Sequence, residues 1–211
     1  MTIGPKIGPQ TPIMVLVFGT RGVPRPLAGL PWAYVGSEGQ SDGGIDEAIA
    51  DTRRLAVVGS ECDLAAVLTR LMRREQLDVE VAHVQGWRSA RRARTAPARR
   101  VPLIRDDTGT VITGSALWLP PQGSTVIVGE AVADDTPLFD GEVAGVRIEP
   151  TAAMPGVRAA VTGRGPRRWL TARAVQLGTT GANVVRDGVA GPREVKRSTF
   201  YRHTTGWLRV G

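Results

Sequence analysis

The sequence predicts an α+β fold in which a small βαβ unit precedes a predominantly antiparallel β-sandwich or barrel. Two observations lead to this prediction. Residues 53–85 pass from an apolar, β-branched run to a helical apolar period and back to a strand. Residues 101–211 instead carry short β-branched runs separated by turn residues, which is typical of all-β architectures. The pattern does not choose between a sandwich and a barrel.

The composition excludes several classes of protein and site. The chain has 211 residues, 42% of them hydrophobic, and no stretch reaches the roughly 20 apolar residues of a membrane span. Cys62 is the single cysteine, and His83 and His203 are the only histidines. A disulfide within the chain and a cysteine-based zinc site are therefore excluded, and we expect no metal site and no cofactor. We expect a cytoplasmic protein.

The charge balance favours an anionic partner. Lys and Arg number 27 against 20 Asp and Glu, which gives a formal net charge of +7. Such a balance favours phosphate-bearing small molecules, nucleic acid or anionic lipid. The indication is limited, because Lys6 and Lys196 are the only lysines. A preference for Arg over Lys is the usual mark of a high-GC genome.

Residues 1–52 are predicted to form a flexible or poorly ordered N-terminal extension. They are rich in Gly and Pro, and residues 37–44 (SEGQSDGG) resemble a linker. Residues 13–18 could form one β-strand. An isolated strand must pair with another strand or stay disordered.

The βαβ unit at 53–85 has the clearest pattern. Residues 55–58 predict a buried strand, Gly59 a tight turn, and Ser60 a helix N-cap with Asp63 in a capping-box spacing. A strand resumes over 79–84, so we expect a parallel pair with a right-handed crossover. Neither G-x-G-x-x-G nor G-x-x-x-x-G-K-[ST] occurs, which favours a structural turn over a phosphate site. The apolar face of the predicted helix consists of Leu64, Val67, Leu68, Leu71 and Met72.

Residues 86–100 are predicted to be an Arg-rich linker or an exposed short helix. Six arginines fall in this segment, and Trp87 is its only aromatic residue. Arginines can neutralise the phosphates of nucleic acid, but the aromatic interleaving typical of single-strand binders is missing. A solvated linker is therefore favoured. The nucleic-acid candidates are Arg88, Arg91, Arg92 and Arg94.

From residue 101 onward the pattern predicts β-strands joined by turns. The triplet Asp107-Thr108-Gly109 spells the aspartic-protease motif, but it occurs once and follows polar residues, so a β-turn is favoured. The predicted strands are 101–105, 109–114, 124–132, 142–149, 157–162, 168–177, 182–186, 194–202 and 206–210.

Residues 196–203 (KRSTFYRH) hold the densest mixture of cations, hydroxyl groups and aromatic rings. On a strand, alternate residues share a face. Neither face here is cleanly apolar, and the sequence does not say which face is buried. We regard this strand as the best candidate for binding a phosphate group or a partner. The anion-binding candidates are Arg105, Lys196, Arg197, Arg202 and His203.

Three segments carry a resemblance to a known group of proteins. Residues 55–60 (LAVVGS), 105–109 (RDDTG) and 196–203 resemble those of an actinobacterial family with the two-part layout of diacylglycerol-kinase-like and NAD-kinase-like proteins. The G-G-D-G-T motif of that group is missing, and residues 41–46 (SDGGID) are its nearest approach. The resemblance implies a nucleotide-binding α/β part followed by a β-sandwich. It carries over no catalytic residue.

Three functional hypotheses follow. The first is a non-catalytic protein that binds an anionic small molecule or a protein partner through the β domain. The second is a divergent kinase-like phosphotransferase, which would need Asp106, Asp107 and Asp140 to converge on Mg²⁺. The third, less favoured, is nucleic-acid binding through 86–100. The oligomeric state is left open.

Overall fold

A computed structural model describes residues 11–36, 42–50, 52–163 and 165–211. The chain divides into two compact units, Met1–Val101 with Gly206–Gly211, and Pro102–Thr205. The class is α+β, as the sequence predicts. The boundary differs from the predicted β-rich domain of 101–211, because the last strand returns to the first unit.

The elements follow one another in two groups. The first unit begins with β1 (Thr11–Phe18), β2 (Trp32–Val35), α1 (Asp42–Ile49), β3 (Thr52–Val58), α2 (Glu61–Arg73), β4 (Glu80–Val84), α3 (Trp87–Thr95) and β5 (Ala98–Val101). The second unit contains β6 (Ile104–Asp106), β7 (Val111–Ile112), β8 (Ala116–Leu119), β9 (Ile127–Ala133), β10 (Thr136–Val143), β11 (Val146–Pro150), β12 (Val157–Val161), β13 (Leu170–Ala172), β14 (Ala174–Arg186), β15 (Val189–Ala190) and β16 (Val195–Arg202). Strand β17 (Trp207–Val210) completes the first unit.

The first unit is built on a mixed sheet in the order β2-β1-β3-β4-β17-β5. Neighbouring strands are parallel except for β17 and β5, which are antiparallel. Residues 14–17 of β1 are all buried, as expected for a strand that is covered on both faces of a parallel sheet. Residues 11–36 therefore differ from the predicted flexible extension, because β1 finds its pairing partners in β2 and β3.

The predicted βαβ unit is confirmed. Helix α2 begins after Ser60, whose hydroxyl accepts from the Asp63 N–H, while an Asp63 carboxylate oxygen accepts from the Ser60 N–H at 2.7 Å. The five apolar residues of the predicted face are all buried. Strand β3 precedes this helix in the sequence and strand β4 follows it, and the two strands pair in parallel.

The Arg-rich segment contains a short helix, the second of the two predicted alternatives, and is not a linker. Residues 87–95 form α3, and residues 98–101 form β5, which pairs with β17. Ala90 and Ala93 are fully buried on one side of α3, whereas its arginines are exposed. Small residues at this i, i+3 spacing let the helix pack closely, and the long cations on the other side keep their charges in water.

The second unit is antiparallel throughout, and β14 belongs to two layers. Residues 174–179 of β14 pair with β9 and β16, and residues 183–186 pair with β8. The register shifts between Gly178 and Ala182, which is how a strand turns a corner between packed layers. The core between the layers contains Trp118 and Phe200, and the Trp118 indole donates to the buried Ser198 hydroxyl at 3.0 Å.

No helix in the described part of the chain combines the length and the apolar character that crossing a membrane requires.

Candidate cleft at the carboxyl edge of the parallel sheet

The first unit has a crevice where the strand order of its sheet reverses. From β1 the chain moves to one side to form β2, and then crosses to the other side to form β3 and β4. The segments that follow the carboxyl ends of β1 and β3 therefore run toward opposite sides of the sheet. In open α/β sheets, ligands bind outside the carboxyl ends of the strands at such a switch point.

A cleft of about 450 Å³ lies at this edge. Its volume falls in the range of sites that hold small molecules. Three segments contribute, each following the carboxyl end of a strand, so the cleft is a product of the strand order. The lining residues are Arg21, Gly22, Pro24, Val58, Gly59, Ser60, Val84, Gln85 and Gly86.

The turn from β3 into α2 requires glycine. A Cβ atom at Gly59 would stand 2.7 Å from both the Cβ and the Oδ2 of Asp63, so the first turn of α2 packs directly on the glycine. Asp63 Oδ2 also accepts from the Ser60 hydroxyl at 2.7 Å. A carboxylate of the chain itself thus occupies part of the positive N-terminus of α2.

The start of α3 presents a different environment. Gly86 is its N-cap, with an extended φ of −178°, and a Cβ atom at this position would have no other atom within 4 Å. The Ser89 hydroxyl accepts from the N–H groups of Gln85 and Gly86, both at 3.0 Å. The first turn of α3 has no acidic residue. Its dipole therefore acts on the cleft without a carboxylate in its own first turn.

Arg21 supplies the cation of the cleft. Its side chain is half exposed, its Nη1 donates to the Phe18 carbonyl at 3.3 Å, and it lies 3.9 Å from Asp63 Oδ2. A guanidinium has five donors in a planar fork, so these contacts leave it able to bind phosphate oxygens. Sequence reasoning missed both Arg21 and Gly86. The only signal was their place after strands whose order in the sheet was unknown.

His83 lies beside the cleft. Its Nε2 is 3.0 Å from the Gly59 carbonyl, and its Nδ1 is 3.6 Å from Glu61 Oε1. Because a carbonyl only accepts, this hydrogen bond assigns a proton to Nε2. The Gln85 amide donates to the same Glu61 oxygen at 3.2 Å. These contacts tie the ends of β3 and β4 to the start of α2.

The predicted anion-binding residues of the second unit fall into two sets. Ser198 and Phe200 are buried, so residues 199 and 201 face outward. Arg105 on β6 is opposite Tyr201, and its guanidinium stacks on that ring at 5.0 Å. Burial and the charge of Arg105 hold the pKa of His203 below its usual value.

The other predicted anion-binding residues, Arg202, Lys196 and Arg197, do not join Arg105 and His203 in one site. Arg202 Nη1 donates to the Pro155 carbonyl at 3.0 Å. Lys196 and Arg197 are exposed near the opposite end of β16, about 20 Å from His203 along an extended strand. The structure therefore brings Arg105 and His203 together but leaves Lys196 and Arg197 apart from them.

The predicted nucleic-acid residues share one helix. Arg88, Arg91, Arg92 and Arg94 are all exposed on α3. The Arg91 guanidinium stacks over the Trp87 ring at 5.1 Å.

The acidic residues of the kinase hypothesis do not converge. Asp106 is fully buried, and its Oδ2 accepts from Arg186 Nε and Nη2, each at 2.5 Å. Its Oδ1 accepts from the N–H groups of Thr108 and Thr110 at 3.0 and 2.8 Å, so residues 107–109 form the predicted turn. Asp140 lies on β10, with three strands between it and β6. Within the described residues, no group of three or more His, Cys, Asp or Glu side chains could hold a metal ion.

Solved structures with the same fold span nearly the whole chain. A diacylglycerol kinase from Bacillus anthracis str. Sterne matches with a TM-score of 0.71 and 10% identity, covering 97% of this chain and 98% of that one. An NAD kinase from Archaeoglobus fulgidus in complex with ATP matches with a TM-score of 0.63 and 12% identity, covering 94% and 93%. No protein-family model and no curated protein sequence matches the chain. The two-part layout expected from the resemblance is confirmed, and identities this low show the fold alone.

Proposed function

We propose that this protein is a divergent kinase-like phosphotransferase that binds a nucleoside triphosphate in the cleft formed by Arg21, Gly59–Ser60 and Gly86. The observation that carries the proposal is the position of the cleft at the switch point of the sheet. The fold adds support, because two of the solved structures that share it are those of kinases, one of them in complex with ATP. This proposal replaces the favoured hypothesis of a non-catalytic binding protein.

The chemistry of the cleft suits phosphate oxygens. Arg21 contributes a charged donor, and the N-terminus of α3 contributes a positive dipole end next to Gly86. Phosphoryl transfer depends mainly on positioning and on stabilising negative charge, which donors of this kind can supply. Asp106 and Asp140 lie apart and Asp106 is paired with Arg186, so the proposal omits the Mg²⁺ site that the kinase hypothesis placed on Asp106, Asp107 and Asp140. The described residues offer no three-ligand metal site, so we assign no residue to a metal.

The proposal is tested by placing a charge at Gly86. Asp and Asn are both good N-cap residues, and the backbone and space at Gly86 accept a side chain. Gly86→Asp and Gly86→Asn should therefore fold equally well. In isothermal titration with ATP, Gly86→Asn should keep affinity within a few-fold of the parent, whereas Gly86→Asp should lose about tenfold or more through charge repulsion. Equal affinities for the two variants would refute this location.

Transfer is tested separately from binding. The protein is incubated with ATP labelled in the γ-phosphate, first with diacylglycerol and then with NAD as acceptor, since these are the substrates that the names of the similar kinases indicate. We expect label to appear on one acceptor and the rate to fall in Gly86→Asp but not in Gly86→Asn. ATP binding without transfer to either acceptor would support the non-catalytic hypothesis instead.

A further inference from the structure

A second concave surface of the first unit lies next to the cleft in the chain. The cleft ends at Gly86, and Trp87 begins a groove of about 420 Å³. The groove, called here the Trp87 groove, is lined by Arg25, Pro26, Trp87, Arg91, Arg94 and Thr95. It lies between α3 and the 3-10 turn Arg25–Leu27, and the Arg94 Nη1 donates to the Pro26 carbonyl at 2.9 Å. Its walls are therefore joined by a hydrogen bond.

The charge around the groove is positive and is not neutralised nearby. Helix α3 contains four arginines and no acidic residue, and Arg25 adds a fifth exposed cation. Of the carboxylates that the structure describes, none forms a salt bridge with these five arginines. A single phosphate group would neutralise only part of this charge. The surface therefore fits a chain of phosphates better than an isolated one.

Trp87 indicates which class of polyanion the groove would bind. Its side chain is 59% exposed, whereas Trp118 and Trp207 are buried. An exposed indole with a guanidinium stacked on it is a platform on which an unpaired base can stack. Bases in a duplex are already stacked and paired. The combination of indole and arginines thus favours single-stranded nucleic acid over a duplex.

The same helix is poorly suited to a lipid surface. A helix that lies in a membrane interface needs an apolar face directed outward. The apolar residues Ala90 and Ala93 of α3 are instead fully buried in the core of the first unit. Trp87 alone would contact the acyl region.

We propose that the Trp87 groove and the arginines of α3 bind single-stranded nucleic acid, with a base stacked on Trp87 and phosphates on Arg25, Arg88, Arg91, Arg92 and Arg94. This activity is additional to nucleotide binding in the cleft and does not depend on it. Of the predicted nucleic-acid residues, Arg91 and Arg94 line the groove, whereas Arg88 and Arg92 are exposed elsewhere on the same helix.

The test uses fluorescence anisotropy of a labelled oligothymidine with the full chain. We expect binding whose log-log salt dependence has a slope near −0.7 for each phosphate contacted, or about −2 to −3.5 for three to five contacts. The triple variant Arg88→Gln, Arg91→Gln, Arg92→Gln should lose most of the affinity and flatten this slope. The control Arg167→Gln, Arg168→Gln, Arg193→Gln removes the same charge from exposed arginines of the second unit and should have a smaller effect.

The stacking role of Trp87 is tested with one variant and one matched control variant. Trp87→Ala should weaken binding at least about fivefold. Trp169 is also stacked by an arginine, with Arg158 4.4 Å from its ring, but it lies outside the groove, so Trp169→Ala should leave binding unchanged. Both variants should retain the far-UV circular dichroism and the urea unfolding midpoint of the parent protein, which shows that the fold is intact.

Three results would overturn the inference. The first is equal loss of binding in the two triple variants, which would indicate net charge alone. The second is that a duplex binds as tightly as the single strand and that Trp87→Ala leaves the affinity for the single strand unchanged. The third is binding to vesicles containing phosphatidylglycerol but not to the oligothymidine.

Discussion

At the scale of single residues, two glycines line the same cleft for different reasons. Gly59 has the first turn of α2 packed against it, and Gly86 faces open space. The first is a packing requirement of the strand–turn–helix connection. The second leaves room for a ligand in front of the N-terminus of α3.

Replacing Gly59 by Ala should destabilise the first unit. The added Cβ meets Asp63 at 2.7 Å, so either the capping box opens or α2 shifts. We expect a loss of about 1–3 kcal/mol in the free energy of unfolding, measured by urea denaturation. Gly86→Asn serves as the control and should unfold at nearly the parent's midpoint. Parent-like stability of Gly59→Ala would show that the close approach is absent.

Arg21 should contribute to affinity and little to stability. Its side chain is half exposed and makes one backbone hydrogen bond, at 3.3 Å. We expect Arg21→Ala to weaken ATP binding about tenfold or more, as for loss of a hydrogen bond to a charged group. Arg73→Ala, on the exposed side of α2, removes the same charge outside the cleft and should bind as the parent does. If the two variants bind ATP equally, Arg21 has no role in the site.

Residue-scale prediction succeeded where the signal was local. Ser60 and Asp63 are three positions apart, so their mutual capping is visible in the sequence. Arg21 and Gly86 become neighbours of Gly59 only through the order of β1, β3 and β4. No spacing in the sequence encodes that order, because long-range pairing of parallel strands decides it.

At the scale of elements, α1 is tied to α2 by a charged contact. Both carboxylate oxygens of Asp46 accept from Arg70, and Arg74 lies 3.1 Å from Oδ2. The hydrogen bonds from Arg70, with the charges of both arginines, hold the pKa of Asp46 below its ordinary value. Such a contact stabilises the fold at pH values above the ordinary pKa of the carboxyl, about 3.9.

Replacing Asp46 by Asn should therefore have a pH-dependent effect. We expect a loss of about 1 kcal/mol at pH 7, because the carboxylate is only partly exposed and bidentate. As the pH falls through the lowered pKa of Asp46, the parent loses the same contribution and the two curves converge. Asp78→Asn is the control, since Asp78 is 89% exposed. A difference that persists unchanged in acid would contradict the ion-pair account.

The ion pair between Asp106 on β6 and Arg186 on β14 should contribute more to the free energy of unfolding than the Asp46–Arg70 pair does. Asp106 is fully buried and depends on Arg186 as its charged partner. Arg186→Met should cost about 3–5 kcal/mol, because it leaves a buried charge uncompensated. The double variant Asp106→Asn, Arg186→Met should recover part of that loss in urea denaturation. An equal or larger loss in the double variant would show that the turn at 107–109 needs the carboxylate itself.

Element-scale prediction failed where composition concealed packing. The arginines of 86–100 indicate a solvated segment, yet Ala90 and Ala93 are enough to bury one side of α3. The Gly and Pro content around β1 likewise indicates an extension, although its apolar run forms a central strand. In both places a few small or β-branched residues determined the structure against the surrounding composition.

At the scale of the whole molecule, the last strand belongs to the same unit as the first strand. After the second unit it re-enters the first as β17, between β4 and β5. The sequence predicted the α+β class and most strands, since those follow from hydrophobic period and turn residues. It could not predict this return, because a four-residue strand carries no information about which sheet it joins.

The central claim is that a nucleotide binds at the carboxyl edge of the first sheet. It is tested most directly by a crystal structure of the protein grown or soaked with ATP. We predict phosphate density within hydrogen-bond distance of Arg21 and of N–H groups in the first turn of α3, next to Gly86 and in front of the Gly59–Ser60 turn. Density for ATP only on the second unit, for example beside Arg105 and His203, or none at saturating ATP, would contradict the account.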